Sequence, residues 1–224
     1  MPSSDLILAV IVIAIMLLIA FPIHEFAHAL AAWRLGDGTA RLFGRLTLNP
    51  VVHFDPIGGT LFAISLLASA LASGGGFFAF GWAKPTPVNP MNLRNGRYGE
   101  AIVAFAGPAS NLVLAAAAAL PVRYLNDHPD LAESVGLLYP ILGLFVLLNV
   151  LLMLFNLIPI PPLDGSKVLF AFLNPRTVWQ WRPILEQYGF IILILVFFFP
   201  PGASIGARFL LPLIGAIYGF LVGA

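Results

Sequence analysis

The chain has no cysteine, so it carries neither a disulfide framework nor a thiolate metal site, and any metal must sit on imidazole and carboxylate. Charge is almost as scarce: 9% of its 224 residues are charged, and the net charge is +1. Neither sign is in enough excess to hold a polyanion or an acidic substrate, and no nucleic-acid partner is expected. What is abundant is apolar surface. Hydrophobic residues make up 60% of the chain and the mean hydropathy is +0.96, far outside the composition of soluble globular proteins. The expectation is an integral membrane protein whose solvent is the lipid bilayer, a single domain over residues 1–224. The start, Met1-Pro2-Ser3-Ser4-Asp5, lacks the basic stretch of a signal peptide, and no small-residue cleavage site follows the first apolar run. That run reads as a retained anchor.

Leu6 to about Trp33 is long enough to cross the hydrocarbon core with some tilt. Its last third contains His24-Glu25-Phe26-Ala27-His28. Residues four apart on a helix lie only about 40° apart around the axis, so His24 and His28 share a face. Two imidazoles so placed can bind one Zn²⁺, and Glu25 beside them can take a proton from water. The alternative, a polar patch packed against neighbours, is disfavoured because ionisable groups at bilayer depth are costly and usually functional.

The loop 34–56 carries Arg34, Arg41 and Arg45 against Asp37 and Asp55. By the positive-inside rule it is cytoplasmic, which puts the N-terminus outside and the motif in the cytoplasmic third of the membrane. The apolar stretch 57–76 lies between this loop and a second basic loop with Lys84, Arg94 and Arg97, so it is expected to enter and return as a re-entrant helix. An extended segment follows over Gly81–Asn89, where Pro85 and Pro87 forbid helix and spoil one hydrogen-bonding edge. Non-helical backbone at that depth must be buried in protein or line a wet cavity.

Gly99 to about Arg123 is the second full span, containing Ala106-Gly107-Pro108-Ala109-Ser110-Asn111. Asn111 is open to two readings, interhelical glue between small residues or a hydrogen-bonding role toward substrate. The loop 125–134 is acidic and external, with His128 a solvated residue. Val135 to Ile158 returns inward as the third span and is broken by Pro159, Pro161 and Pro162 before Asp164-Gly165. Asp164 could cap the next helix, but the topology delivers its carboxylate to the level of His24 and His28, which favours the ligand reading. Trp179, Trp181 and Arg182 read as an interfacial belt. A fourth span over 184–199 and a fifth over 209–224 have apolar interiors and look like scaffold or gate.

Three protein ligands and an open position make a catalytic zinc pattern, which His24, His28 and Asp164 supply with one Zn²⁺ per chain. At these residues the chain resembles the site-2 protease family of intramembrane zinc metalloproteases. The resemblance rests on His24-Glu25-Phe26-Ala27-His28, on Gly107-Pro108-Ala109-Ser110-Asn111, and on Asn156 through Leu163-Asp164-Gly165, in that order over roughly residues 5–175. The apolar runs read above add up to an all-α polytopic fold with about five spans plus the re-entrant element, the resemblance covering the catalytic core and residues 176–224 being accessory. The resemblance implies zinc ligation by His24, His28 and Asp164, with Glu25 as general base and Asn111 and Asn156 positioning substrate or catalytic groups. The implied activity is hydrolysis of peptide bonds within or near a transmembrane helix of a substrate protein, in a bacterial cell membrane, with the active site toward the cytoplasm.

Larger family members carry PDZ or nucleotide-sensing domains, for which this chain has no room. His53, in His53-Phe54-Asp55-Pro56, is expected to be interfacial or to support a ligand from outside rather than to bind metal. Rival readings are a protease taking a glutamate third ligand, a metal transporter or sensor, and a non-catalytic scaffold. Glu100, Glu133 and Glu186 are the only glutamates after the motif, and none stands in a suitable pattern. The later spans offer no ligands for a transport path, no internal repeat marks a two-halved transporter, and the presence of Glu25 argues against a scaffold.

Overall fold

The computed structural model describes residues 4–71, 81–199 and 204–223. Its regular structure is all helical, with no strand among the described residues. Helix α1 (Ser4–Ile15) continues through a π-turn (Met16–Ala20) into α2 (Phe21–Arg34). The π-turn falls directly before Pro22, which has no N–H for the helical ladder and whose ring would strike the carbonyl four residues back. Widening the turn absorbs that conflict; the Phe21 N–H reaches to the Met16 carbonyl instead. The sequence shows a continuous run here, and the local change of pitch is a finding of the structure.

Two short helices, α3 (Thr39–Leu42) and α4 (Pro50–His53), fill the first loop. Helix α5 (Pro56–Leu71) starts on Asp55, whose Oδ1 accepts from the N–H of Ile57 at 3.0 Å and of Gly58 at 2.8 Å. It packs back against α1, with Phe62 and Leu66 joining Ala9, Met16 and Ala20 in one core cluster. The rest of the expected re-entrant stretch, including Gly74-Gly75-Gly76, lies outside the described residues. Residues 81–89 have neither helix nor ladder. The segment expected there as a strand pairs with none; its N–H groups go elsewhere, as described below.

The hub is α6 (Arg97–Asn126), which packs most extensively on α8 (Leu138–Asn156), then on α2 and on α9 (Asp164–Phe172). A short α7 (Pro129–Ser134) links α6 to α8. The buried face of α6 is made of small residues, among them Ala101, Ala104, Gly107, Ala115 and Ala119, which let neighbouring backbones approach closely where lipid supplies no hydrophobic drive. Its opposite face exposes Val113 at 67% and Leu120 at 70%, a surface suited to hydrocarbon rather than water. Helices α10 (Pro175–Phe198) and α11 (Ile205–Val222) complete the chain, with Ile214 and Val222 closing the α6–α8 core.

Among the described residues, three helical stretches are long and apolar enough to cross a membrane: Leu6–Arg34, Arg97–Asn126 and Leu138–Asn156. Pro56–Leu71 and Arg208–Val222 are apolar but shorter. The described fold is all-α, with three helices apolar and long enough to span a membrane.

Candidate metal centre

Three side chains from two helices converge on one buried point. On α2, His24 and His28 are 5% and 7% exposed; Asp164, at the first turn of α9, is 8% exposed. The two Nε2 atoms are 3.0 Å apart, and Asp164 Oδ2 lies 3.2 Å from His24 Nε2 and 3.1 Å from His28 Nε2. Tetrahedral zinc with bonds of about 2.0–2.2 Å needs ligand atoms roughly 3.4 Å apart, so this triangle accepts the ion with shifts of a few tenths of an ångström. It is the one such His/Asp/Glu group among the described residues that could hold a metal.

The outer ring nitrogens fix the chemistry of the inner ones. His28 Nδ1 lies 2.7 Å from the Val103 carbonyl, which can only accept, so Nδ1 carries the proton and Nε2 presents a lone pair. His24 Nδ1 donates to Asn111 Oδ1 at 2.6 Å, again leaving Nε2 free. Two lone pairs and a carboxylate oxygen thus face one another, an arrangement that could hold a metal cation.

Two glycines make the convergence possible. A Cβ on Gly107 would stand 2.4 Å from His28 Nε2 and 2.6 Å from His24 Nε2, so α6 can cross the histidine pair only without a side chain there. A Cβ on Gly165 would meet the Leu157 carbonyl carbon at 2.4 Å, so the start of α9 can sit on the end of α8 only as glycine. The N-cap of α9 is Leu163, with no side-chain cap. Asp164 is therefore the first helical residue rather than the cap, and its carboxylate is turned to the histidines. Its second oxygen, Oδ1, faces Lys167 Nζ at 3.6 Å.

Glu25 is half-buried beside the triad. Its Oε2 accepts from the Thr86 N–H at 2.8 Å, and its backbone carbonyl accepts from the Thr86 hydroxyl at 3.0 Å. Thr86 belongs to the 81–89 segment, which is tied down at two further points. The Lys84 N–H donates to the His53 carbonyl at 2.9 Å, and the Asn89 N–H donates to Asp37 Oδ2 at 2.7 Å. Asp37 is wholly buried and also accepts from the Thr39 N–H and hydroxyl and from the Asn92 amide. Burial alone would push its carboxyl up, but those donors outweigh it and hold the group below its ordinary value.

Asn111 is wholly buried with both ends of its amide engaged, Oδ1 by His24 and Nδ2 by Asn149 Oδ1 at 3.0 Å. Asn156 is half-buried, its amide donating to the Leu152 carbonyl at 2.9 Å, and no hydrogen bond joins it to the triad among the described residues. His53 is buried away from the triad: its Nε2 donates to the Thr47 carbonyl at 2.8 Å, and Nδ1 has no protein partner. Its backbone rather than its ring serves the site, by anchoring Lys84. Glu100 and Glu186 are both taken by Arg182, at 3.0 Å and 2.8 Å, which removes them as third ligands. His128 is exposed and stacked on Tyr124. Sequence reasoning passed over Asn149, Thr86 and Asp37. A second asparagine two turns before Asn156 in an apolar span was the available signal for Asn149.

Fold and site together define a class, all-α proteins with membrane-length apolar helices around a buried His-His-Asp group that could hold a metal ion. Comparison with known proteins narrows it. The model of peptidase family M50 matches residues 12–136 and 121–196. A Bacillus subtilis protein provisionally named zinc metalloprotease YwhC is 36% identical over 195 residues, covering 86% of this chain and 83% of the relative. Proteins provisionally named zinc metalloprotease Rip2, from Mycolicibacterium smegmatis and Mycobacterium tuberculosis H37Rv, are 35% and 31% identical over 82% of this chain; the match spans 65% of each of their lengths. No solved structure matches the chain significantly. The chain belongs to peptidase family M50, the site-2 protease family, and is a zinc metalloprotease.

Proposed function

We propose that the chain cuts peptide bonds within or beside transmembrane segments of other membrane proteins, the reaction of regulated intramembrane proteolysis, from a site toward the cytoplasmic side. The observation that best supports this reading is the convergence of His24, His28 and Asp164 on helices buried in an apolar protein, with Glu25 adjoining them. In this reading His24, His28 and Asp164 hold one Zn²⁺ per chain. When bound, zinc polarises the scissile carbonyl and acidifies water. Glu25 takes the proton of the attacking water and returns it to the leaving amine. Thr86 holds Glu25 Oε2 through its N–H, which orients the carboxylate and leaves Oε1 for the proton transfer. The outward-held Nδ1 protons of His24 and His28 leave each Nε2 as the nitrogen that would bind the ion.

A helical substrate shields its peptide bonds in its own ladder and must be unwound locally. Pro85, Pro87 and Pro90 have no N–H, and the N–H groups of Lys84, Thr86 and Asn89 are bound within the protein. The segment therefore offers an unwound strand chiefly carbonyl oxygens, which substrate N–H groups can meet. Asn156, beside the proline break, is the side chain proposed to hydrogen-bond the substrate backbone. Residues 176–224 serve as accessory helices in this scheme.

The test is reconstitution of the purified chain in liposomes with a panel of single-span membrane proteins, cut sites being mapped by mass spectrometry. Chelator-sensitive cuts inside apolar spans, reduced at least about 10²-fold in Glu25→Gln, are expected. Cuts confined to water-exposed loops, or undiminished in Glu25→Gln, would overturn the proposal.

A further inference from the structure

We infer that Asn149 is a positioning residue for the metal centre, acting through Asn111 to fix which nitrogen of His24 faces the ion. The inference rests on the zinc reading of the site given above. Its basis is a chain of hydrogen bonds with only one consistent polarity. Asn149 sits on α8, wholly buried, and its Nδ2 donates to the Phe145 carbonyl at 2.9 Å. A backbone carbonyl can only accept, so this end of the chain cannot be reversed. Asn149 must therefore turn its Oδ1 toward α6, where it accepts from Asn111 Nδ2 at 3.0 Å. Asn111 must then present its Oδ1 to His24, where it accepts from Nδ1 at 2.6 Å. His24 carries its proton on Nδ1 as a result, and its Nε2 lone pair points to His28 and Asp164.

Without Asn149, Asn111 is free to flip. A flipped Asn111 would offer Nδ2 to His24, draw the imidazole into the other tautomer, and place a proton on Nε2 where the ion must bind. The two histidines thus reach the same state by different means. His28 meets a fixed carbonyl, that of Val103, directly. His24 meets one, that of Phe145, through two amides on two helices. Each amide is buried with both ends paired, which also makes the relay tolerable at membrane depth.

Asn149→Val and Asn149→Thr have the same shape and differ by one hydroxyl, so they separate polarity from packing. The Thr hydroxyl can donate to the carbonyl four residues back and accept from Asn111, whereas Val can do neither. Zinc affinity of the detergent-purified protein, measured by chelator competition, should fall about 10–100-fold in Asn149→Val and stay within about threefold of the parent in Asn149→Thr. In an Asn111→Leu background, Asn149→Val should cause no further loss, because the relay is already cut. Should Asn149→Val fail to fold, the Asn149→Ser and Asn149→Ala pair poses the same question with less bulk. Equal affinity in the hydroxyl and apolar variants, or a full additive loss in the Asn111→Leu background, would overturn the relay. A parent protein that binds no zinc would instead overturn the reading of the site on which the relay rests.

Discussion

The helices that meet at the candidate metal centre and the helices at the C-terminal end are held in place in opposite ways. Around the centre, α2, α6, α8 and α9 bury His24, His28, Asn111, Asn149 and Asp164, and each has a hydrogen-bond or ion-pair partner within the protein. In α11 the apolar side chains face outward, Phe209 at 77% and Phe220 at 81% exposed, and the contacts with α6 and α8 are made by residues such as Ile214 and Val222. The first region is specified by polarity and close approach, the second by bulk apolar packing. A polar group at bilayer depth is affordable only when every donor and acceptor is met, so substitutions should be felt sharply in one region and faintly in the other.

The largest effect is expected at Gly107. Gly107→Ala puts a Cβ within 2.6 Å of both histidine Nε2 atoms; α6 and α2 must move apart, and a displacement of order 1 Å costs about 10² in rate. Zinc content and proteolysis should fall together, and an active, zinc-loaded Gly107→Ala protein would break the account of why α6 is glycine here. A smaller effect is expected at Asp37, which ties the 81–89 segment to the loop after α2. Its carboxyl is held below its ordinary value, so its contribution to stability is complete above that value, near 3.8, and is lost as pH falls through the lower native one. Thermal unfolding of the parent should therefore weaken below about pH 4 more steeply than that of Asp37→Asn, which cannot titrate there; parallel profiles would contradict the anchoring role. The smallest effect is expected at Phe220→Ala, on the exposed apolar surface of α11. Zinc affinity should be unchanged and activity within about twofold, in line with the roughly 0.5 kcal/mol typical of surface changes; a large loss would give the C-terminal helices a part in the site.

How much of this could be read from the sequence follows from how local each feature is. His24 and His28 are spaced by a single helical turn with Glu25 beside them, so the shared face of the two imidazoles needs nothing but helix geometry. Asp164 was legible because the proline break before it delivers it to the same membrane level, although its place as first helical residue rather than cap required the structure. The π-turn at Met16–Ala20 was not legible: Pro22 marks a conflict in the ladder, but a kink, a break and a widened turn all resolve it. The hold of Thr86 on Glu25 joins positions 61 apart, and the prolines beside Thr86 indicate only that its segment is extended. Asn111 was visible as a polar residue needing a partner, while the identity of that partner depends on how α2, α6 and α8 cross. The expected five spans rested on hydropathy; three described helices meet the length and apolarity needed to cross, and part of the stretch expected to re-enter lies outside the described residues.

The most direct test of the central claim is the zinc content of the detergent-purified protein measured beside that of Asp164→Ala, since it requires no substrate. About one zinc per chain in the parent, lost or much weakened in the variant, is the predicted result and would join the first span to the turn after α8 in a single three-ligand centre. Zinc held equally well by both proteins, or by neither under metal-replete conditions, would contradict it.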